Sequence, residues 1–234
     1  MKFTFKDLLL QNKLGALADV PEGKHIGWNE QGQLELMDDP ELRDITERIK
    51  TFDDAYNELA AKTTGLDASM SHPMIQAYDA MRFAEEHSNR KIAADVKAYL
   101  QLCIIAAALN EGWTPQFTED EKRWYPYFTL WTEDELKEKS DEWKDDHQLL
   151  LWGGAAYNGS SCGVASSNSY YAWSYTSADF GSRLAYKTGA LATFAGRTFA
   201  PVYALFFLGD KAEGLKPWRE VEGKEEPADE EEES

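Results

Sequence analysis

The feature that most constrains the fold is a long apolar periodicity in residues 89–110. The turn signal Asn110-Glu111-Gly112 ends it. Steps of three and four residues between apolar side chains are the spacing of one helix face. The sequence therefore predicts a helix over 89–110, the strongest helix of the chain. Its apolar positions are Ile92, Val96, Tyr99, Leu100, Cys103, Ile104, Ala107 and Ala108.

Shorter helical patterns lie on both sides of this segment. Thr51-x-x-Asp54 resembles a capping box, with Asp in place of the usual Glu. Pro73 stands where a helix begins. The further predicted helices cover residues 40–50, a segment from Thr51 to a loop at 62–72, a segment from Pro73, a charged stretch at 133–147, and residues 189–208 capped by Thr188.

An aromatic, β-like stretch follows the strongest helix. Pro126 makes residues 124–131 an edge strand, because proline cannot donate a hydrogen bond to a central ladder. Further strands are predicted over residues 149–152, 164–175 and 182–187. We therefore expect an α+β fold, with N-terminal helices followed by a small antiparallel β-sheet with a C-terminal helix. The expected regions are an irregular head (1–40), a helical region (41–112), an aromatic-rich α+β region (113–209) and an acidic disordered tail (210–234).

The chain is strongly acidic, with a net charge of −18. Residues 220–234 hold nine acidic residues and one lysine, which is −8 of that total. Such a block cannot bury apolar surface, so a solvating tail is predicted, with a nucleic-acid mimic or a docking arm as the alternative. The remaining body lacks the basic face that phosphate groups need. We therefore expect no nucleic acid and no anionic membrane among the partners.

Compartment signals are few. Two cysteines, Cys103 and Cys162, make neither a disulfide framework nor a zinc site, and residues 1–10 show no signal-peptide pattern. The apolar stretch at 191–208 contains an arginine and a proline. A helix buried in the core is predicted there, since a bilayer span needs about 20 apolar residues. The expected compartment is the cytoplasm of the producing cell.

One motif with catalytic precedent is present, at residues 159–163, where the order Gly-Ser-Ser-Cys-Gly matches G-x-S-x-G. A nucleophile elbow needs a helix after it, and the Ser/Asn/Tyr-rich flank predicts none. We therefore expect neither Ser161 nor Cys162 to be a nucleophile. The four histidines show no metal-binding spacing, and no phosphate-binding loop occurs. No catalytic residue, metal ligand or cofactor is predicted.

Residues 153–180 have the most unusual composition, with seven Ser, four Tyr, four Gly, two Asn and one Trp. Tyr and Trp supply rigid contact area and Ser, Gly and Asn supply hydrogen bonding, as in evolved binding loops. Alternation would place three of the rings on one face of a strand; these are Tyr171, Trp173 and Tyr175. Equally, these rings could face the core or a sheet edge. The candidate ligand-binding residues are Tyr157, Tyr170, Tyr171, Trp173 and Tyr175.

A set of landmarks between residues 44 and 208 resembles a family of proteins encoded by gut Bacteroidetes and by their phages and prophages. In that family the stretch before Gly-Ser-Arg-Leu is variable and rich in Tyr, Ser, Asn and Gly. The landmarks are Arg-Ile-Lys-Thr-Phe-Asp-Asp-Ala at 48–55, Ala-Ala-Leu-Asn-Glu-Gly-Trp-Thr-Pro-Gln-Phe at 107–117, Trp-Tyr-Pro-Tyr-Phe at 124–128, Gly-Ser-Arg-Leu-Ala-Tyr-Lys at 181–187, and the helix with Leu191, Ala195 and Gly196.

More distantly, this composition is similar to variable proteins diversified by retroelements, whose binding domains are C-type-lectin-like. Those domains end soon after the variable stretch, whereas a helix and a tail follow it here. The resemblance implies a display surface for a protein or surface glycan partner, on a phage particle.

Two functional hypotheses are therefore open. The first is a non-enzymatic binding or structural protein, associated with a phage or mobile element, which presents residues 153–180 to a partner. The second is a small enzyme or anti-defence factor whose site the sequence does not reveal.

Overall fold

The structure is a computed structural model, in which backbone contacts separate two compact units, Met1–Arg48 and Ile49–Ser234. It describes residues 2–3, 24–28, 31, 33–38, 43–62, 72–88, 91–152, 163–173 and 182–223.

The first unit contains a three-stranded antiparallel sheet in the order β1-β3-β2. The region predicted as an irregular head, with a short strand over residues 33–37, thus contains regular strands, and the predicted strand corresponds to Leu34–Asp38. The helix predicted over 40–50 is a single turn, Ile45–Arg48, where it is described, and the Asp44 carboxylate caps its start by accepting a hydrogen bond from the Thr46 amide (2.8 Å). The elements are β1 (Lys2–Phe3), β2 (Lys24–Trp28), β3 (Leu34–Asp38) and α1 (Ile45–Arg48).

The second unit packs helices against a four-stranded antiparallel sheet, which confirms the α+β class. Its helices are α2 (Phe52–Lys62), α3 (Pro73–His87), α4 (Ala94–Leu109), α5 (Glu133–Lys137), α6 (Asp141–Asp146), α7 (Gly189–Thr198), α8 (Ala200–Leu208) and α9 (Trp218–Glu222). Its strands, in the sheet order β4-β6-β5-β7, are β4 (Lys122–Trp131), β6 (Gly163–Trp173), β5 (Leu150–Trp152) and β7 (Leu215–Pro217).

Several local predictions are confirmed. Thr51 and Asp54 form the capping box of α2, with the Asp54 amide donating to Thr51 Oγ1 (3.2 Å) and the Thr51 amide to Asp54 Oδ2 (2.8 Å). Pro73 is the first residue of α3, and Thr188 caps α7 through the Leu191 amide (3.2 Å). β4, which contains Pro126, lies at the edge of the sheet.

Helix α4 is the central element of the core, and α2, α3 and α8 pack around it. It begins at Ala94 rather than at 89, because the Ile92 amide donates to Glu85 of α3 (3.2 Å) instead of to a helical carbonyl. Val96, predicted on the apolar face, is exposed. The buried residues are Ala98, Leu102, Cys103, Ile104, Ile105, Ala106, Ala108 and Leu109.

Asn110 ties the end of α4 to residues 182–187. This buried amide donates through Nδ2 to the Ala185 carbonyl (2.7 Å) and accepts through Oδ1 from the Lys187 amide (2.9 Å). Between these two residues, Tyr186 forms a single β-bridge with Trp124 of β4. The strand predicted over 182–187 is therefore wrong; the segment is a 3-10 turn, Ser182–Leu184, followed by one bridged residue.

Two predicted helices are each broken in two. Residues 133–147 form α5 and α6, because Ser140 caps a new helix through the Trp143 amide (3.1 Å). Residues 189–208 form α7 and α8, because Pro201 has no amide proton for the carbonyl of Arg197. Over the described residues, no single helix is both long and apolar enough to cross a membrane. Gly189–Thr198 and Ala200–Gly214 meet that criterion only together, as a pair bent by 82°.

The prediction of a disordered acidic tail from residue 210 is wrong for residues 210–223. That stretch contains the last turns, β7 and α9, and Trp218 is buried. Its indole Nε1 and Arg219 Nε each donate to Asp145 Oδ1 at 2.9 Å. The remaining residues of the predicted tail, 224–234, lie outside the described part.

The first prediction concerns the Asn110 joint. Asn110→Ala should lower the free energy of unfolding by about 2–4 kcal/mol, because it leaves the buried Ala185 carbonyl and the half-buried Lys187 amide without partners. Urea denaturation measures this. The control is Gln116→Ala, which removes an exposed side-chain hydrogen bond and should change stability by less than about 0.5 kcal/mol. Equal effects of the two substitutions would contradict the assigned role of Asn110.

The second prediction concerns acid stability. The hydrogen bond from Arg219, followed by that from Trp218, lowers the pKa of Asp145. A lowered pKa in the folded state contributes stability above the unfolded value, about 3.9, which is lost as pH falls through the folded value. The stability difference between the parent and Asp145→Asn should therefore shrink between pH 6 and pH 3 in urea titrations. A difference that does not change with pH would contradict the ion pair.

Candidate functional site

The strands β4 and β6 form the longest antiparallel pair described, from Lys122 opposite Trp173 to Trp131 opposite Gly163. A β-bulge lies at Tyr127 and Phe128, where β6 holds one extra residue. Side chains alternate between the two faces of a strand. Tyr170 and Tyr171, both predicted to bind a partner, therefore lie on opposite faces.

Helix α7 covers one face of this pair through two glycines. A Cβ placed on Gly189 would lie 2.9 Å from the Trp124 ring. A Cβ on Gly196 would lie 2.8 Å from Pro126 Cβ and 3.0 Å from Ser166 Oγ. Such distances are shorter than real Cβ contacts, so only glycine lets the helix approach the strands this closely.

Tyr171 lies beside the covered face and is partly open to solvent. Its ring centroid is 5.1 Å from that of Trp124, and Lys122 Nζ lies 4.5 Å from it on the ring face. The side chain remains 43% exposed. Tyr171 is therefore neither a core residue nor fully free, and its open edge can still contact a partner.

Tyr170 lies on the other face, against two tyrosines of β4. Its ring centroid is 5.7 Å from that of buried Tyr125 and 6.3 Å from that of Tyr127, with the latter pair edge to face. Such packing holds the Tyr170 ring in one orientation.

An open groove of about 590 Å³ lies along β4, β6 and the end of α8. Three of its large apolar side chains are strongly exposed: Tyr127 (52%), Leu130 (51%) and Phe207 (44%). A few polar groups among mainly apolar walls are the usual composition of a binding groove. The described lining residues are Pro126, Tyr127, Phe128, Leu130, Val164, Asn168, Ser169, Tyr170, Phe207 and Leu208.

A second cleft of similar volume, about 600 Å³, lies between α3, α4 and α8. Its charged side chains already pair with each other or with nearby residues, as Lys97 does with Glu85 and Lys91 with Glu213. Because a ligand would have to replace these pairs, the apolar groove is the stronger candidate.

The structure brings together only some of the predicted site residues. Tyr170 lines the groove, and Tyr171 lies on the opposite face. The backbone of Trp173 pairs with Lys122, while its side chain, Tyr157 and Tyr175 lie outside the described part. The single face predicted for Tyr171, Trp173 and Tyr175 stays a prediction.

The sequence interpretation did not select the groove residues of β4 and α8. Alternation along β4 places Tyr127 on the face opposite to Pro126 and Phe128, so the exposure of Tyr127 could have been predicted from the sequence. No pattern could have indicated Phe207, because α8 is apolar on every side and its exposed position depends on how the helix packs.

The catalytic motif gains no support from its neighbourhood. Gly163 is the first residue of strand β6, whereas a nucleophile elbow continues into a helix. Ser161 and Cys162 lie outside the described residues. Within the described part, no cluster of three or more His, Cys, Asp or Glu side chains is arranged to hold a metal ion.

The other titratable side chains near the core, those of His72, Cys103, Tyr186 and Tyr203, make contacts that stabilise the fold. His72 caps α3 by accepting from the Met74 amide at 3.2 Å. Burial raises the pKa of the Cys103 thiol. The Tyr186 and Tyr203 hydroxyls, 2.9 Å apart and fully buried, hydrogen-bond to each other.

Comparisons of the chain with family models, with curated proteins and with solved structures give no match.

The third prediction tests the support of the groove. Gly196→Ala should destabilise the protein by about 1–3 kcal/mol, because the added methyl group meets Pro126 and Ser166. Thermal and urea unfolding measure this. The control is Gly214→Ala, where the nearest atom, Trp152 Cδ1, would be 3.6 Å from the added carbon, an ordinary contact. Similar effects of the two substitutions would show that α7 does not need the close approach.

Proposed function

We propose that this chain is a non-enzymatic binding protein, associated with a phage or mobile element, whose partner occupies the groove along β4, β6 and α8. The observation that carries the proposal is the convergence of exposed Tyr127, Leu130 and Phe207 on one open groove. Single exposed apolar residues are normal on protein surfaces, but a contiguous patch around a concavity is typical of an interaction site.

The chemistry of the groove defines the class of partner. Asn168 and Tyr170 carry polar groups in the groove lining, while the tyrosine and phenylalanine rings supply flat apolar surfaces. Both a neutral glycan and a protein segment with apolar side chains fit this combination. The net charge of −18 disfavours nucleic acid and anionic lipid.

The exposed apolar area sets the strength of such a contact. Complete burial of one large apolar side chain contributes about 1.5–3 kcal/mol, and the three exposed side chains are about half buried already. Their full burial would contribute roughly 3 kcal/mol, less than the 4.1 kcal/mol of a millimolar complex. Useful binding therefore needs further contacts or many copies. Repeated display on a particle would supply those copies by avidity.

The composition of residues 153–180, a segment that includes β6, supports the same proposal. The Ser, Tyr, Asn and Gly composition of 153–180 is that of adaptable binding surfaces, and this segment includes β6, which forms one wall of the groove. The partner would then contact the groove and neighbouring parts of this segment together.

The fourth prediction tests the groove. The purified chain, coupled in many copies to beads, is assayed against an array of surface glycans and against cells of candidate hosts. Tyr127→Ser and Phe207→Ser should each lower binding at least tenfold and leave the urea midpoint nearly unchanged. The control Phe83→Ser removes an even more exposed ring (62%) from α3 and should bind like the parent.

Two results would contradict the proposal. One is binding by the groove variants that equals that of the parent. The other is loss of binding by Phe83→Ser to the same degree as by the groove variants. Association with a particle is tested separately, by mass spectrometry of purified phage particles, where the chain should be found in stoichiometric amounts.

A further inference from the structure

A smaller cavity of about 300 Å³ lies between the start of α3, the end of α4 and Arg183. It shares no lining residue with the groove of β4, β6 and α8. Its described lining residues are His72, Pro73, Met74, Cys103, Ala107, Asn110, Trp113, Thr114, Pro115 and Arg183.

The charge of this cavity differs from that of the chain. The sequence has 42 acidic and 24 basic residues, yet the described lining includes one arginine, one histidine and no carboxylate. Among the residues that the structure describes, Arg183 pairs with no carboxylate. Its hydrogen bond goes from Nη1 to Met74 Sδ at 3.2 Å, and a thioether is a weak acceptor.

Other described cations do pair with carboxylates. Lys187, four residues further along, pairs with Glu111 at 3.0 Å, and Lys144 and Arg219 pair with Glu222 and Asp145. Apart from the Nη1 bond to Met74, the N–H donors of Arg183 have no described carboxylate as acceptor.

His72 contributes a second donor. Its Nδ1 accepts from the Met74 amide, so the neutral ring carries its proton on Nε2. Burial, and then the charge of Arg183, lower the pKa of His72. A lowered pKa favours the neutral ring at pH 7, so the described lining residues supply the positive charge of Arg183 and one additional N–H donor, His72 Nε2.

The other lining side chains are mainly apolar. They include buried Cys103 and half-buried Ala107, Trp113 and Pro115, while Met74 lies beside Arg183. A ligand that suits this lining has one anionic group and a small apolar body. The volume is at the lower end of the range for small-molecule pockets, about 300–1,000 Å³.

The backbone beside Arg183 is rigidly held. Leu184 and Ala185 are buried, and Asn110 binds the Ala185 carbonyl at 2.7 Å. The guanidinium group therefore extends from a fixed base, which reduces the entropy that a ligand must overcome on binding.

We propose that this cavity binds a small organic carboxylate, held in a bidentate manner by Arg183, with His72 Nε2 as a further donor and the apolar body against Trp113 and Ala107. A planar carboxylate matches the two parallel N–H groups of a guanidinium. A single carboxylate also balances the single positive charge. A phosphate dianion would add uncompensated charge to an acidic protein.

The carboxylate can come from a free acid or from the C-terminus of a peptide. Phenylacetate is the probe for a free acid, and N-acetyl-phenylalanine is the probe for a peptide terminus. Phenylacetamide and N-acetyl-phenylalanine amide are their neutral counterparts. Binding of either acid supports the proposal. The acid with the lower dissociation constant shows whether the natural carboxylate is a free acid or a peptide C-terminus.

The fifth prediction is measured by tryptophan fluorescence and calorimetric titration of the full chain. At least one acid should bind, with a dissociation constant at least tenfold lower than that of its neutral counterpart. Arg183→Gln should weaken binding tenfold or more, and Arg183→Lys should weaken it less. Trp113→Leu should also weaken it. The control Arg82→Gln, at an exposed arginine outside this cavity that pairs with Glu86, should bind like the parent.

Four outcomes would overturn the proposal. They are no binding of either acid by the parent, equal binding of an acid and its neutral counterpart, unchanged affinity in Arg183→Gln, and tighter binding of inorganic phosphate than of either acid. Because Arg183 is exposed, its substitution should leave the urea midpoint unchanged, which separates loss of binding from loss of folding.

Discussion

The buried amide of Asn110 is the joint on which the second unit depends. It ends the core helix α4 and at the same time holds the Ala185 carbonyl and the Lys187 amide. Tyr186, between them, pairs with Trp124 and so attaches the edge strand β4 to the helical layer. Without this amide, two backbone groups would lose their partners, and both the cavity beside Arg183 and the edge strand would lose support.

Both candidate sites use surfaces that this joint creates. Helix α7 follows Lys187 directly and comes close to β4 and β6 through Gly189 and Gly196. Phe207 of α8 reaches the groove because the chain bends between α7 and α8. Helix α7 therefore covers part of one face of the strand pair, and the groove opens beside it, lined by residues from both faces of the strands. The Arg183 cavity depends on the same 182–187 segment, because Arg183 belongs to it.

Sequence patterns were informative wherever a local rule decides the structure. The capping box at Thr51, the proline that begins α3 and the edge position of Pro126 depend on groups within a few residues of each other. Side-chain alternation on β6 also separated Tyr170 from Tyr171. It did not show which face α7 would cover, because that contact joins residues far apart in the chain. For the same reason no pattern indicated Phe207, Leu130 or the cavity beside Arg183.

The sequence by itself determined the α+β class, the core helix and the strands β4, β5 and β6, because periodicity and turn residues act locally. It also determined the acidic character that disfavours nucleic acid. Only the tertiary structure decided that the 182–187 segment is a turn and a bridge rather than a strand, and that the region after residue 209 continues to fold, since Trp218 finds a carboxylate on Asp145. It alone decided which aromatic rings stay exposed, because exposure depends on which distant element covers them.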